Sequence, residues 1–273
     1  MINRIQKIFD RLKKENKKAF VSFSVAGYPD EQSSLEIAKA ISDSGSHIHE
    51  ISFPHAEAQA DGPIIQLANI ESINKGINLE KIINISKKVR EHNSEIGLCL
   101  MGYLNNLFIY GIEKFAKDIS GTIDAVICVD LPSEVIEEKQ LKDALKKEGI
   151  ALIKLITPTT SDERIREIVQ DAEGFIYSVN VEGQTGVKSA DVNKVNSQVE
   201  NIKKYTNIPV VSGFGIKNKE DVKIFSNSKA DGIVLGSAIV SKIREKNNET
   251  KDKHIVAKFI NDYCKNLINK LNK

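Results

Sequence analysis

The chain has 273 residues, with 39 Lys+Arg against 37 Asp+Glu for a formal net charge of +2; 41% of residues are hydrophobic and 28% charged. That balance belongs to a folded globular protein rather than a disordered one, and near-neutral charge gives no reason to expect a nucleic-acid partner. Tryptophan is absent, and no apolar run reaches the ~18 residues of a membrane span, so no membrane partner is expected.

The stretch from Met1 to Leu12 carries an amphipathic helix pattern and lacks the continuous apolar segment of a signal peptide. Beyond it, short apolar runs alternate with helix-period segments. Strands are predicted over 19–25, 47–53, 96–102, 125–129, 151–156, 175–179, 209–212 and 232–235. Helices are predicted over 32–44, 79–92, 112–119, 134–148, 162–171, 193–205 and 219–227. The long interval between the second and third strands has room for a loop and an extra helical segment. A short helix is expected from Ser237, and a last helix over 251–273 places Ile255, Phe259, Tyr263, Leu267 and Leu271 on one stripe.

The strands read as nearly continuous apolar runs, as they do when both faces are covered. Eight β-then-α units in about 250 residues predict an α/β fold, a (β/α)8 barrel with an additional N-terminal helix. A doubly wound sheet competes, but it normally has fewer strands or a visible switch point. No linker or composition shift divides the chain, so residues 1–273 are read as a single domain. The three cysteines, Cys99, Cys128 and Cys264, are odd in number and widely spaced. They suit neither a disulfide framework nor a zinc ribbon, and a reducing cytoplasm is the default compartment. Cys99 and Cys128 sit in apolar runs and are read as core residues.

In such barrels chemistry collects at the C-terminal strand ends. The seventh unit continues into Ser212-Gly213-Phe214-Gly215-Ile216, and the eighth strand ends in Leu235-Gly236-Ser237-Ala238. Glycines there admit a bulky anion, and a helix starting at Ser237 offers free N–H groups, which points to a phosphate cup. Tight turns that merely need glycine are the alternative. The segment 180–186, ending in Gly186, reads as a loop able to close over a ligand.

On the second strand, alternation places Ile48, Glu50 and Ser52 on one face and His47, His49 and Ile51 on the other. Glu50 in an apolar strand is costly unless paired or functional. Facing the barrel mouth it would have a raised pKa suited to acid/base work; facing outward it would be an ordinary ion-pair partner. Asp61, eleven residues on, could supply a second carboxylate at the same mouth, or could simply cap the helix starting near Pro63. His47, His49 and His55 cluster in sequence, but the alternation separates them from Glu50, so no metal is expected.

These residues and their order resemble the α subunit of tryptophan synthase over almost the whole chain. The resemblance is carried by Phe23-Ser-Val-Ala-Gly-Tyr-Pro29, Glu50, Ala60-Asp61-Gly62-Pro63, Leu100-Met-Gly-Tyr-Leu-Asn105, Tyr110-Gly-Ile-Glu-Lys-Phe115, Val129-Asp-Leu-Pro132, Ile156-Thr-Pro-Thr-Thr-Ser161, Gly213-Phe214-Gly215 and Gly236-Ser237-Ala238. It implies a (β/α)8 lyase that cleaves indole-3-glycerol phosphate to indole and glyceraldehyde 3-phosphate, with no metal or organic cofactor. It further implies Glu50 as the main acid/base, Asp61 as acceptor of the indole N–H and Tyr177 beside Glu50. Phe23, Tyr103, Thr185 and Phe214 would contact the substrate, and Gly186, Gly215, Gly236 and Ser237 the phosphate. The implied partner is a tryptophan synthase β subunit in an α2β2 assembly. A divergent, weakly active copy that mainly supports its partner, and a stand-alone lyase that releases indole, are the alternatives.

The chain departs from the family's usual residues at Ser22, Val25, Ser52, His55, Ala56, Glu57, Ala58, Asn106 and Gln184. Ala58 where proline is usual is expected to loosen the loop after strand two, which carries Asp61 and touches the β subunit in the family. The absence of tryptophan would suit an enzyme made when tryptophan is scarce.

Overall fold

The computed structural model describes residues 3–133, 135–179, 191–213 and 219–272. Helix α1 (Arg4–Lys14) is followed by β1 (Ala19–Val25), α2 (Glu31–Asp43), β2 (Ile48–Ser52), α3 (Pro63–Asn74), α4 (Leu79–His92), β3 (Gly97–Gly102), α5 (Leu104–Tyr110), α6 (Ile112–Ile119) and β4 (Ala125–Cys128). Then come α7 (Ile136–Lys147), β5 (Ala151–Leu152), β6 (Lys154–Ile156), α8 (Asp162–Gln170), β7 (Ile176–Val179), α9 (Val192–Lys203), β8 (Val210–Gly213), α10 (Lys219–Ser226), β9 (Gly232–Leu235), α11 (Ser237–Glu249) and α12 (Lys253–Leu271).

All strand pairings are parallel, in the order β5-β4-β3-β2-β1-β9-β8-β7-β6. The single strand predicted over 151–156 is interrupted at Ile153, and the interruption closes the barrel. Its first half pairs with β4 and its second half with β7, while the Ile153 N–H donates to the Val126 carbonyl at 2.9 Å. One stretch of chain thus lies at both ends of the strand order.

Alternation divides the apolar residues into two layers. Phe23, Ile48, Cys99, Met101 and Ile127 belong to one cluster, and Ile51, Leu98, Leu100 and Val126 to the other. On these strands the first set of residues faces the barrel interior and the second faces the surrounding helices, so Glu50, two residues from Ile48, points inward. Helix α1 buries Ile5, Ile8, Phe9 and Leu12. It covers the end where the strands begin, with Phe9 and Phe175 rings 6.1 Å apart.

Asp124, at the start of β4, ties that end together. It accepts from Arg4 Nη1 at 2.9 Å, Arg90 Nη2 at 2.7 Å and the Leu98 N–H at 2.9 Å. Asp124→Asn keeps the shape but removes the charge from this buried cluster, and is expected to cost about 1–2 kcal/mol. Urea denaturation checks this; an unchanged midpoint contradicts it.

Three helix expectations are revised. Helix α5, rich in asparagine and aromatic residues and only seven residues long, has no periodic signal and was not predicted. Helix α11 starts at Ser237 as expected but runs thirteen residues rather than being short. On α12 the buried stripe is Val256, Ile260, Cys264, Leu267 and Leu271; Ile255 is half-exposed, and Phe259 and Tyr263 are only partly covered. The helix is rotated relative to the predicted stripe because its inner face follows α2, where Asn261 donates to the Ala40 carbonyl at 2.7 Å. Among the described residues, no helix is long and apolar enough to cross a membrane.

Candidate active site

Glu50 lies in mid-barrel, level with Phe23 of β1 on one side and Cys99 of β3 on the other. It is fully buried, and neither carboxyl oxygen has a hydrogen-bond partner among the described residues. Burial without a compensating charge pushes its pKa up to about 8. The outward-facing alternative is therefore excluded: this carboxyl is held neutral at pH 7, with a proton available.

Asp61 does not cap the next helix. The cap of α3 is Gly62, with no side-chain cap bond. The Asp61 carboxyl instead accepts from the Tyr103 hydroxyl at 3.3 Å and from Asn69. Burial raises its pKa to about 6, against the opposing pull of those two hydrogen bonds. The two carboxyls thus bracket neutral pH, one protonated and one ionised, as an acid and an acceptor must be. Both face Tyr177 of β7, which is buried and whose phenol pKa is pushed well above its usual value by desolvation and by the Glu50 and Asp61 charges.

The loop carrying Asp61 is tethered although it lacks the proline. Ala58 is buried and its carbonyl accepts from the Asp61 N–H at 3.0 Å. Gln66 of α3 donates to the Ala58 and Asp61 carbonyls, and the Ala60 N–H donates to Tyr103 Oη at 3.1 Å. These bonds counter the loosening expected at Ala58.

Phe23, Ser52, Asp61, Asn69, Met101 and Tyr103 line one cavity at the C-terminal strand ends. The Phe23 ring also lies against Gly236, where a Cβ would come to 3.4 Å of it. Gly236 and Ser237 stand half-exposed at the N-terminus of α11, in front of that ring. A short apolar spacer therefore separates the carboxyl site from N–H groups suited to an anion. A wider cavity, lined by Leu131, Ser133, Lys154, Thr160 and Arg164, opens at the ends of β4 and β6, but neither carboxyl of the site lines it.

Of the residues expected at the site, Phe23, Glu50, Asp61, Tyr103, Tyr177, Gly236 and Ser237 come together at this end of the barrel. Thr185, Gly186, Phe214 and Gly215, with the segment 180–186, lie outside the described residues. His47 and His49 point away from Glu50: the Phe20 N–H donates to His47 Nδ1, and His49 Nε2 lies 2.9 Å from Ser24 Oγ. All three cysteines are buried and unpaired, and burial pushes their thiols up. Asn69 was not anticipated. It lies on α3, eight residues past Asp61, and nothing in the pattern marks that face as turned to the barrel mouth.

A family model described as tryptophan synthase alpha chain matches residues 9–269. A tryptophan synthase alpha chain from Phenylobacterium zucineum (strain HLK1) is 40% identical over 243 residues, covering 89% of this chain and 87% of its own length. Tryptophan synthase subunit alpha from Legionella pneumophila str. Paris superposes with a TM-score of 0.88 at 28% identity over 99% of each chain. A solved structure from Aquifex aeolicus VF5 gives a TM-score of 0.86 at 32% identity over 100% of both. With its barrel and match extending over nearly its whole length, the chain belongs to the tryptophan synthase alpha chain family, lyases that cleave indole-3-glycerol phosphate.

Proposed function

We propose that Glu50 and Asp61 divide the proton transfers of this cleavage between them. The carrying observation is a pair of buried carboxyls in unlike surroundings: Glu50 has no hydrogen-bond partner among the described residues, while Asp61 is bonded to Tyr103 and Asn69, and burial raises the pKa of both. Glu50 protonates the indole carbon that bears the glycerol phosphate, while Asp61 accepts the N–H of the same ring. The indolenine so formed has an electron sink at nitrogen. Glu50, now ionised, takes the proton from the adjacent side-chain hydroxyl; the C–C bond breaks, its electrons rearomatise the ring as Asp61 returns the proton to the ring nitrogen, and the aldehyde is released with both carboxyls back in their starting states. Tyr177 packs beside Glu50, and Phe23 and Tyr103 flank the indole, with Thr185 and Phe214 assigned to the same pocket by resemblance. Gly236 and Ser237 receive the phosphate at the α11 N-terminus, with Gly186 and Gly215 assigned there by resemblance.

The chain acts as one domain over 1–273 and pairs with a tryptophan synthase β subunit in an α2β2 assembly. Family membership supports the pairing. A cytoplasmic setting suits three buried, unpaired thiols. The purified protein, alone or with its cognate β subunit, is expected to release indole from indole-3-glycerol phosphate; no turnover in either state sinks the proposal. Gel filtration with that β subunit is expected to give co-elution, and separate elution would favour a stand-alone lyase.

A further inference from the structure

His55 and Asn106 are 51 residues apart in sequence. In the fold they touch. His55 Nδ1 lies 3.0 Å from Asn106 Oδ1, and Asn106 Nδ2 donates to the Pro54 carbonyl at 3.2 Å. Asn106 therefore grips both the imidazole and the backbone of the loop that leads to Asp61. The imidazole stacks on the Tyr103 ring, with centroids 4.8 Å apart and planes 22° from parallel. The Tyr103 hydroxyl then makes two contacts: it donates to Asp61 Oδ2 at 3.3 Å and accepts from the Ala60 N–H at 3.1 Å.

A phenol held on one face only by a mobile side chain could swing off a carboxylate this close to the mouth. Here the stacked ring blocks that swing, and the imidazole is itself oriented by the amide of α5. Two flexible side chains are thereby fixed by one hydrogen bond and one stack, and the carboxylate at the end of the chain of contacts is held where a substrate N–H must find it. From these contacts we infer that His55 and Asn106 form a latch holding the Tyr103 hydroxyl on the Asp61 carboxylate, which makes both of them positioning residues for the N–H-accepting step. The inference rests on the proposed role of Asp61.

The test uses the full chain with indole-3-glycerol phosphate. His55→Ala is expected to lower kcat about ten- to a hundredfold and Asn106→Ala about tenfold, with KM changed less than about threefold, because the contact acts through positioning. His55→Phe keeps the stack and loses the Asn106 bond, so it should recover part of the His55→Ala loss. Adding Asn106→Ala to His55→Phe should then cost less than Asn106→Ala costs in the wild-type background, since the bond to the imidazole is already gone and only the bond to the Pro54 carbonyl remains to be lost.

The acid limb of the kcat profile supplies the readout that a purely structural role would not move. Among the described residues, the groups facing Asp61 are Tyr103 ahead of α5, Asn69 of α3 and Tyr177 of β7, with Asp130, just past β4, acting on Tyr103. The Tyr103 bond favours the ionised carboxylate, so releasing it raises the pKa and moves the acid limb to higher pH. Thermal melting accompanies every variant, and Asn106→Ala, on a partly exposed helix, carries the test if His55→Ala does not fold. With Asp61→Asn inactive, wild-type kcat or an unmoved acid limb in both alanine variants overturns the latch. If Asp61→Asn turns over like wild type, the role of Asp61 itself falls, and the latch with it.

Discussion

Glu50→Gln is expected to abolish indole formation while making the protein more stable at neutral pH. The activity loss is about 10²–10⁴-fold in kcat, the worth of a positioned general acid/base. The stability gain follows from the sign of the pKa shift. The folded-state value is about 8, against 4.5 for an unburied glutamate. Between those pH values the unfolded chain has released its proton and the folded chain still holds it, so stability falls as pH rises, by about 1.4 kcal/mol per pH unit. At pH 7 the accumulated cost is roughly 3 kcal/mol, which glutamine, having no proton to lose, removes. Asp61, raised from 3.8 to about 6, adds a contribution of the same sign over a lower and narrower pH range. Paired thermal melts at pH 5 and pH 8 check the claim: the variant should match wild type at the first and exceed it at the second. Wild-type turnover by Glu50→Gln would remove Glu50 from the mechanism, and a melting gap independent of pH would contradict its buried, neutral state.

Gly213→Ala is the second large effect. A Cβ at this position would lie 2.3 Å from Tyr177 Cε1 and 2.6 Å from both Cζ and Oη, distances that no relaxed contact allows. The ring has no free direction, because Tyr177 is buried and Phe175 lies 6.4 Å away, centroid to centroid. Either β8 or the phenol must shift, at a cost of about 1–3 kcal/mol. The phenol sits beside Glu50, so kcat should also fall, by about ten- to a hundredfold. Combining Gly213→Ala with Tyr177→Leu should destabilise less than the sum of the two single changes, since the smaller side chain relieves the clash. Additive losses in melting temperature would show that the glycine serves something other than the approach of Tyr177.

Both predictions depend on details unequally visible in one dimension. The run of eight apolar segments, each followed by a helix-period stretch, was enough to identify a barrel, because burying a parallel sheet on both faces imposes that pattern on every strand. Seven of the residues named from sequence and resemblance, from Phe23 to Ser237, meet at one end of it. Composition alone settled the absence of tryptophan and the near-neutral charge.

What the linear pattern could not decide was direction and pairing. Glu50 and His49 sit next to each other in a strand covered on both sides, so hydrophobicity gives each the same environment. Only the closed ring distinguishes the inner face, where Glu50 has no hydrogen-bond partner among the described residues, from the outer one, where His49 meets Ser24. The interruption at Ile153 was hidden for a similar reason, since it reflects a change of neighbours rather than a change of residue type. The His55–Asn106 contact joins a loop to a helix that carries no periodic signal. Local propensity and burial are written along the chain and can be read there, whereas a hydrogen bond between residues 51 positions apart exists only once the barrel has brought β2 and β3 side by side.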